Sequence, residues 1–516
     1  MLLLSNSAYS QKSKISVVSQ DKVLGTNLLN NTQITGTEYI FPERIHDFYV
    51  DTVSGFLTVQ LRGLSSNGKY LNNTGNIVQF DPVQKNVAWT KKIAYQTAEL
   101  QQFSNTMIYS VANKSTCLDI RTGQDMWEVN NSIYFVDPEF NLGLGYRYKM
   151  ASGYSNDLEG IDLKNGRICW KRVINREYTW NNIFYTSDST VLIVAAGLHS
   201  LNLKNGKGWD YDTETGKKDY KETVGANAAG IAVGLLTGTF VTTSGYNLVR
   251  DVVSNVLVDS TCFYFSSKEQ LAKINRLTGE VEWAHPFEKN MSGKSSIYYT
   301  DSLLILINKG YALMGNRQIN FGKPFIAAYD RSTGAEKYLS FTTVKDDPIR
   351  GFWHSDGQIF LLFKNRVAFY SEKDGRLLME RDFKPETYED LKYFVRNQVY
   401  LANGSSFYYS LPQYDSTLLY VYCNNGKILA LDKQLNVTRT LSEDELFFCY
   451  MHAGDYNFIA KDKTTFVLDS RGIKVAEIQV SVNAFLIGNT LYDKQNNSFL
   501  TIDITELISG KSNVTN

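Results

Sequence analysis

The sequence predicts an all-β protein built from repeats, and three observations predict it. The stretch Cys117-Leu118-Asp119-Ile120-Arg121-Thr122-Gly123-Gln124-Asp125-Met126-Trp127 reads as strand, tight turn and strand, with Asp four residues before Gly and Trp four after. Much of the chain repeats that spacing. Between the turns lie short runs rich in β-branched and aromatic residues, such as Val191-Leu192-Ile193-Val194, Leu303-Leu304-Ile305-Leu306-Ile307 and Gln358-Ile359-Phe360-Leu361-Leu362-Phe363. Gly, Asn and Asp break these runs, which is the strand pattern and not that of helical repeats.

Each position of the repeat has a physical role. A short Asp, Asn or Ser side chain accepts from backbone N–H groups ahead of it and holds a turn. Gly, or Asn in degraded copies, takes the positive φ at which the chain reverses. Trp then falls on the returning strand as an apolar plate to bury between neighbouring sheets. Asp162/Gly166/Trp170 and Asn275/Gly279/Trp283 keep both spacings, and Asp330/Gly334/Tyr338 keeps them with Tyr. Ser371/Gly375/Met379 is weaker, and Asn202/Gly206/Trp209 is one residue short. Asp81/Asn86/Trp89, Asp432/Asn436 and Asp469/Gly472 are degenerate copies.

The nine turn positions, 86, 123, 166, 206, 279, 334, 375, 436 and 472, are separated by 37, 43, 40, 73, 55, 41, 61 and 36 residues. The shorter spacings are near the length of a four-stranded propeller blade, roughly 40 residues. The longer ones imply insertions at about 210–255, 309–323 and 384–405. The expected architecture is a single closed β-propeller of four-stranded blades spanning 14–508, with a flexible tail at 509–516. Strand-like pieces also occur at Ile15-Ser16-Val17-Val18 and Phe56-Leu57-Thr58-Val59-Gln60-Leu61. One of these early strands is expected to pair with the last sheet, near 482–504, because an open ring leaves two unpaired edges.

This D-x-x-x-G-x-x-x-W hairpin resembles the repeat of pyrroloquinoline-quinone-like (PQQ-like) β-propellers. That superfamily includes quinoprotein alcohol dehydrogenases and the scaffold subunit of the machine that inserts outer-membrane β-barrels. The resemblance covers nearly the whole chain, and its residues are structural. It implies eight blades, whereas nine turns plus a terminal Asn497-Ser498-Phe499-Leu500-Thr501-Ile502-Asp503 strand suggest more.

Composition narrows the function classes. Lys plus Arg and Asp plus Glu number 53 each, so no global field draws nucleic acid or an anionic membrane. Aromatics are 13% and prolines only eight, which suits many regular strands. The cysteines Cys117, Cys169, Cys262, Cys423 and Cys449 are odd in number, with no C-x-x-C, and read as small buried strand residues. The opening Met1-Leu2-Leu3-Leu4-Ser5-Asn6-Ser7-Ala8-Tyr9-Ser10 looks like the end of a secretory signal; a frayed terminus over 1–13 is the alternative. The uncharged Gly/Ala-rich run 224–241 is too short and too glycine-rich for a membrane span. It is expected to pack on the propeller or, failing that, to face a partner.

The sequence holds no catalytic constellation. The adjacent cysteine pair that the dehydrogenases of the resembled superfamily carry is not in this sequence, nor is a calcium-loop spacing. His46, His199, His285, His354 and His452 lack metal spacing. The segments after each Trp strand, which line a propeller's channel, contain Arg176-Glu177-Tyr178-Thr179-Trp180, Arg350-Gly351-Phe352-Trp353-His354 and Phe448-Cys449-Tyr450-Met451-His452. Polar groups beside aromatics suit a ligand mouth, so Arg176, Trp180, Arg350, Trp353, His354 and His452 are the binding candidates, against the plainer reading as blade packing. The expectation is a non-catalytic scaffold, secreted or periplasmic, monomeric, without cofactor or metal and with a protein partner. The alternative is a small-ligand sensor or quinoprotein-type enzyme using the channel.

Overall fold

The computed structural model describes residues 15–103, 105–111, 113–149, 153–175, 180–218, 248–344, 347–395, 399–402, 405–410, 415–443, 447–461, 464–471, 473–505 and 507. The predicted secretory segment 1–13, the apolar run 224–241 and the tail 509–516 lie outside them. The chain divides into two compact units, one of Met1–Ser155, Glu159–Cys169 and Cys449–Asn516, the other of Asn156–Leu158 and Trp170–Phe448.

Antiparallel hairpins dominate both units. The simplest sheet of the first unit runs Ile45–Val50, Leu57–Leu61, Thr74–Asp81 and Asn86–Ala94, each strand paired with the next. Its second strand is buried at every position, and its fourth is mostly half-exposed or exposed. The same contrast separates Leu303–Asn308 from Val281–Pro286. A middle strand is covered on both faces by neighbouring sheets, so it is buried along its length and its few polar side chains are bonded internally, as Thr58 is to Gln79 and Gln60 to the Leu100 carbonyl; an edge strand alternates. Among the described residues eight four-stranded sheets follow this blade pattern. The fold is a β-propeller.

The hydrophobic core lies between successive blades. In the first unit Ile77 and Ile93 of one sheet meet Leu100, Met107 and Leu118 of the next. In the second unit Leu192, Val194 and Leu198 meet Phe263, Phe265 and Ile274.

The turn repeat organises these interfaces. Asp119 Oδ1 accepts from the backbone N–H of Arg121 at 2.9 Å and of Thr122 at 2.8 Å. The Gly123 N–H closes the turn onto the Asp119 carbonyl at 2.7 Å, with Gly123 at φ 70°. Asn275 makes the same pair of bonds with a neutral amide, to Leu277 and Thr278. In the degraded copies the positive φ falls on Lys85 (53°) and Leu435 (60°), one residue before the expected Asn86 and Asn436.

Each indole docks on the turn of the following blade, not on its own. Trp89 Nε1 donates to the Ile120 carbonyl at 2.9 Å, and Trp127 Nε1 to Leu163 at 2.8 Å. In the second unit Trp170 reaches Leu203 at 2.8 Å, Trp209 reaches Arg276 at 3.0 Å and Trp283 reaches Arg331 at 3.3 Å. Tyr338 substitutes with its hydroxyl, donating to the Glu372 carbonyl at 3.0 Å. In every case the acceptor is the residue after the turn Asp, Asn or Ser. The expectation that these indoles are buried between neighbouring sheets holds for Trp170, whereas Trp127 and Trp283 are half-buried because the fourth strand is the blade's outer edge.

The N-terminal hairpin joins two C-terminal sheets within the first unit, but the strand that meets the last sheet is Thr32–Ile40 and neither of the two early runs expected to do so: Val18 lies in the other hairpin strand, and Leu57–Leu61 is a middle strand of its own sheet. Thr37–Ile40 pairs with Ser498–Thr501, so Thr32–Ile40 is the outer strand on Ser498–Asp503, Thr490–Lys494 and Phe485–Ile487. Tyr39 then plays the Trp role, its hydroxyl donating to the Pro82 carbonyl at 3.2 Å. The other hairpin strand, Val18–Asn27, pairs through Gly25–Asn27 with Ala476–Ile478.

Two of the expected insertions meet. Residues 309–323 form the hairpin Tyr311–Met314 and Arg317–Asn320, which pairs with Leu248–Arg250 and, beyond it, Lys217–Lys218. The result is a small accessory sheet with its own apolar centre of Val249, Val252 and Ala312 against Ile319 and Phe321.

Candidate functional site

Of the sequence-derived candidates, Arg350, Trp353 and His354 lie together on or beside the first strand of one blade, Gly351–Ser355. Side chains alternate across a strand, so neighbouring candidates serve opposite interfaces. Phe352 and His354 face the preceding blade, where Tyr298 stacks on the His354 ring at 4.0 Å and 14° and on Phe352 at 6.2 Å and 11°. Trp353 faces the following blade and packs on the cluster that includes Phe394 and Leu391. Arg350 reaches the same way, donating to the Leu391 carbonyl at 3.0 Å and pairing with Asp390 at 3.2 Å.

Glu372 completes the aromatic group. Its Oε1 accepts from the Tyr298 hydroxyl at 2.9 Å and lies 3.9 Å from His354 Nδ1. Burial, then the charge of Glu372, pushes the Tyr298 phenol far above its ordinary range. The half-exposed imidazole of His354 is therefore held by stacking and a carboxylate, on a platform open along one side.

Lys309 stands near the other end of that platform. Its backbone N–H donates to the Lys294 carbonyl at 2.8 Å, its carbonyl accepts from Ile349 at 2.9 Å, and its Nζ lies 5.8 Å from the Phe352 ring centre. Burial first, and the Lys294 ammonium second, lower its pKa to about 8, with Asp251 acting in the opposite sense. Sequence reasoning missed Tyr298, Glu372 and Lys309. The first two come from elements remote in sequence; the third carried a faint signal, a lysine directly after the buried strand Leu303–Asn308, where an insertion begins.

The remaining candidates are scattered. Trp180 is 3% exposed, a core residue at the entry to Asn182–Ser187. Arg176 lies outside the described residues. His452, in the first unit, is exposed with Nε2 3.8 Å from Cys449 Sγ. Burial pushes that thiol up to about 11, so the pair holds a thiol and not a reactive thiolate. Four cysteines are buried as expected, whereas Cys169 is exposed on an outer strand. Among the described residues no three His, Cys, Asp or Glu side chains are placed to share a metal ion. No helix among them is long and apolar enough to cross a membrane.

No family model and no curated protein matches the chain. Solved structures similar to it include BamB from Moraxella catarrhalis, at 13% identity over 78% of this chain and 96% of that one, with a TM-score of 0.31. A europium-containing methanol dehydrogenase shares 10% identity over 71% of this chain and 84% of its own, at a TM-score of 0.30. A eukaryotic initiation factor shares 10% over 86% and 97%, at 0.33. The propeller assignment rests on the chain's own blades and on their indole-to-turn contacts.

Proposed function

We propose that this chain is a non-catalytic propeller scaffold of the cell envelope, secreted or periplasmic, that presents blade loops to a protein partner. The observation that carries this reading is the accessory sheet. Two insertions from different blades, neither needed to complete a blade, are folded together around their own apolar centre. Their outer hairpin offers Arg317, Gln318 and Asn320, all exposed, on a rigid base. Binding residues are commonly carried on loops positioned by a rigid scaffold. The polar groups of the first-strand cluster support the same reading, because Arg350, Tyr298 and Glu372 are engaged in ties between blades. The signal-like N-terminal sequence supports the compartment, and the neutral charge balance supports a protein and not a nucleic-acid partner.

A photo-crosslinking residue at Gln318 in the native host tests the proposal. A discrete protein adduct, whose purified partner binds the wild type but not a variant with 314–317 replaced by Asn-Gly, is the expected result. Absence of an adduct at Gln318 counts against it. Dye-linked alcohol oxidation after loading with quinone and calcium, above a protein-free blank, would replace it with the enzymatic reading.

A further inference from the structure

We propose that Lys309 is a carbonyl-capturing amine, forming an imine with a small aromatic aldehyde whose ring rests against Phe352. Three features of its placement carry this. The side chain is half-buried at the junction of the Leu303–Asn308 strand, the accessory hairpin and the following blade, so it is sheltered yet reachable. Among the described residues no carboxylate or carbonyl accepts from its Nζ; the nearest recognised contact is the Phe352 ring. The adjacent counter-charge is already used, because Asp251 pairs with Lys294. The ionisable groups around the amine are thus Lys294 and Asp251, with the Tyr311 phenol of the hairpin beside Asp251.

A half-buried ammonium with no anionic partner is costly, and a second ammonium nearby adds to the cost, so the neutral amine is more accessible here than on an exposed lysine. Lysines in desolvated pockets next to another cation act as imine-forming nucleophiles for this reason. In the proposed step the Nζ lone pair attacks the aldehyde carbon and a C–N bond forms. The carbonyl oxygen then leaves as water with the two amine hydrogens, giving C=N without any oxidant. Phe352, stacked in line with Tyr298, offers an apolar face to the aldehyde's ring.

Competitive acetylation of the native protein with trace acetic anhydride, read by peptide mass spectrometry from pH 6 to 11, gives the first test. Lys309 should titrate near pH 8 and react at pH 7.5 roughly tenfold faster than the exposed Lys373 and Lys433. Benzaldehyde with cyanoborohydride as trap should then place a benzyl group on Lys309 first. K309R should abolish that adduct, and K294M should slow it, because freeing Asp251 reprotonates the amine. Titration of Lys309 with the surface lysines, or an adduct spread evenly over them, would overturn the proposal even if every variant failed to fold.

Discussion

Trp127 lies across Gly166, the glycine of the next blade's turn, while its own turn glycine, Gly123, lies under Trp89 of the blade before. The spacing within one hairpin is therefore a record of contacts between two interfaces. The turn presents a carbonyl and a bare Cα back to the indole of the preceding blade, and its own indole, four residues on, reaches forward to the turn of the following copy. This explains why short or degraded copies still work: Trp209, in the copy that is one residue short, docks on Gly279 like the others.

Alanine at these glycines should cost more than alanine at other turns. At Gly334, φ is 74° and a Cβ would lie 2.6 Å from Trp283 Cδ2, so left-handed strain and overpacking add. G334A should lose about 2–4 kcal/mol in urea unfolding. G357A, at φ 71° with nothing within 4 Å, should lose only about 1 kcal/mol. Equal costs at the two positions would show that the indole contact is unimportant.

Tyrosine should replace these tryptophans better than phenylalanine does. Tyr338 already fills the position, with a hydroxyl on the turn carbonyl. W283F leaves the Arg331 carbonyl without its donor, at a cost of about 1 kcal/mol beyond the loss of ring area. W283Y should recover part of that in thermal melts. W283A should reach about 3 kcal/mol, the low end for large aromatic truncations because the indole is half-buried.

The turn carboxylates should make stability fall in acid. Backbone N–H donation from Thr333, with Lys337 and the Thr333 hydroxyl, holds the Asp330 carboxyl down at about 2, against an ordinary value near 4. Donation from Thr122 lowers Asp119 likewise. A depressed folded-state pKa gives stability that is complete above about pH 4 and lost as pH falls toward 2. Asn275 holds the same turn with an amide and cannot titrate. D330N should therefore keep the fold and flatten the acid limb of a melting-temperature profile, whereas D330A should lower melting at every pH.

Removing Arg350 should affect stability and not partner binding. Its guanidinium ties one blade to Leu391 and Asp390 of the next while remaining partly exposed. R350A should cost about 1–2 kcal/mol, chiefly from the bond to the Leu391 carbonyl. Binding of the partner recovered through Gln318 should be unchanged; weakened binding at full stability would return Arg350 to the candidate ligand residues.

The sequence by itself determined the repeat, the turn chemistry and the positions of two insertions. Those features are local: Asp119 bonds groups two and three residues ahead, and a strand buried on both faces is mostly apolar, as Leu303–Asn308 is. It implied that an early strand pairs with the last sheet but pointed to the wrong runs, since Thr32–Ile40 is the strand that does so. Tertiary structure alone decided which turn each indole covers, since Trp127 and Gly166 belong to different hairpins. It alone joined residues 217–250 to 311–320, because strands of two to four residues carry too little pattern to announce a partner. It also decided the surroundings of the candidate residues. Alternation along Gly351–Ser355 sends His354 to Tyr298 and Glu372, and Trp353 to Phe394, whereas in sequence the two side chains are simply adjacent. Lys309 is the sharpest case, for its proton affinity depends on burial and on Lys294, fifteen residues away, and neither is visible in the residues beside it.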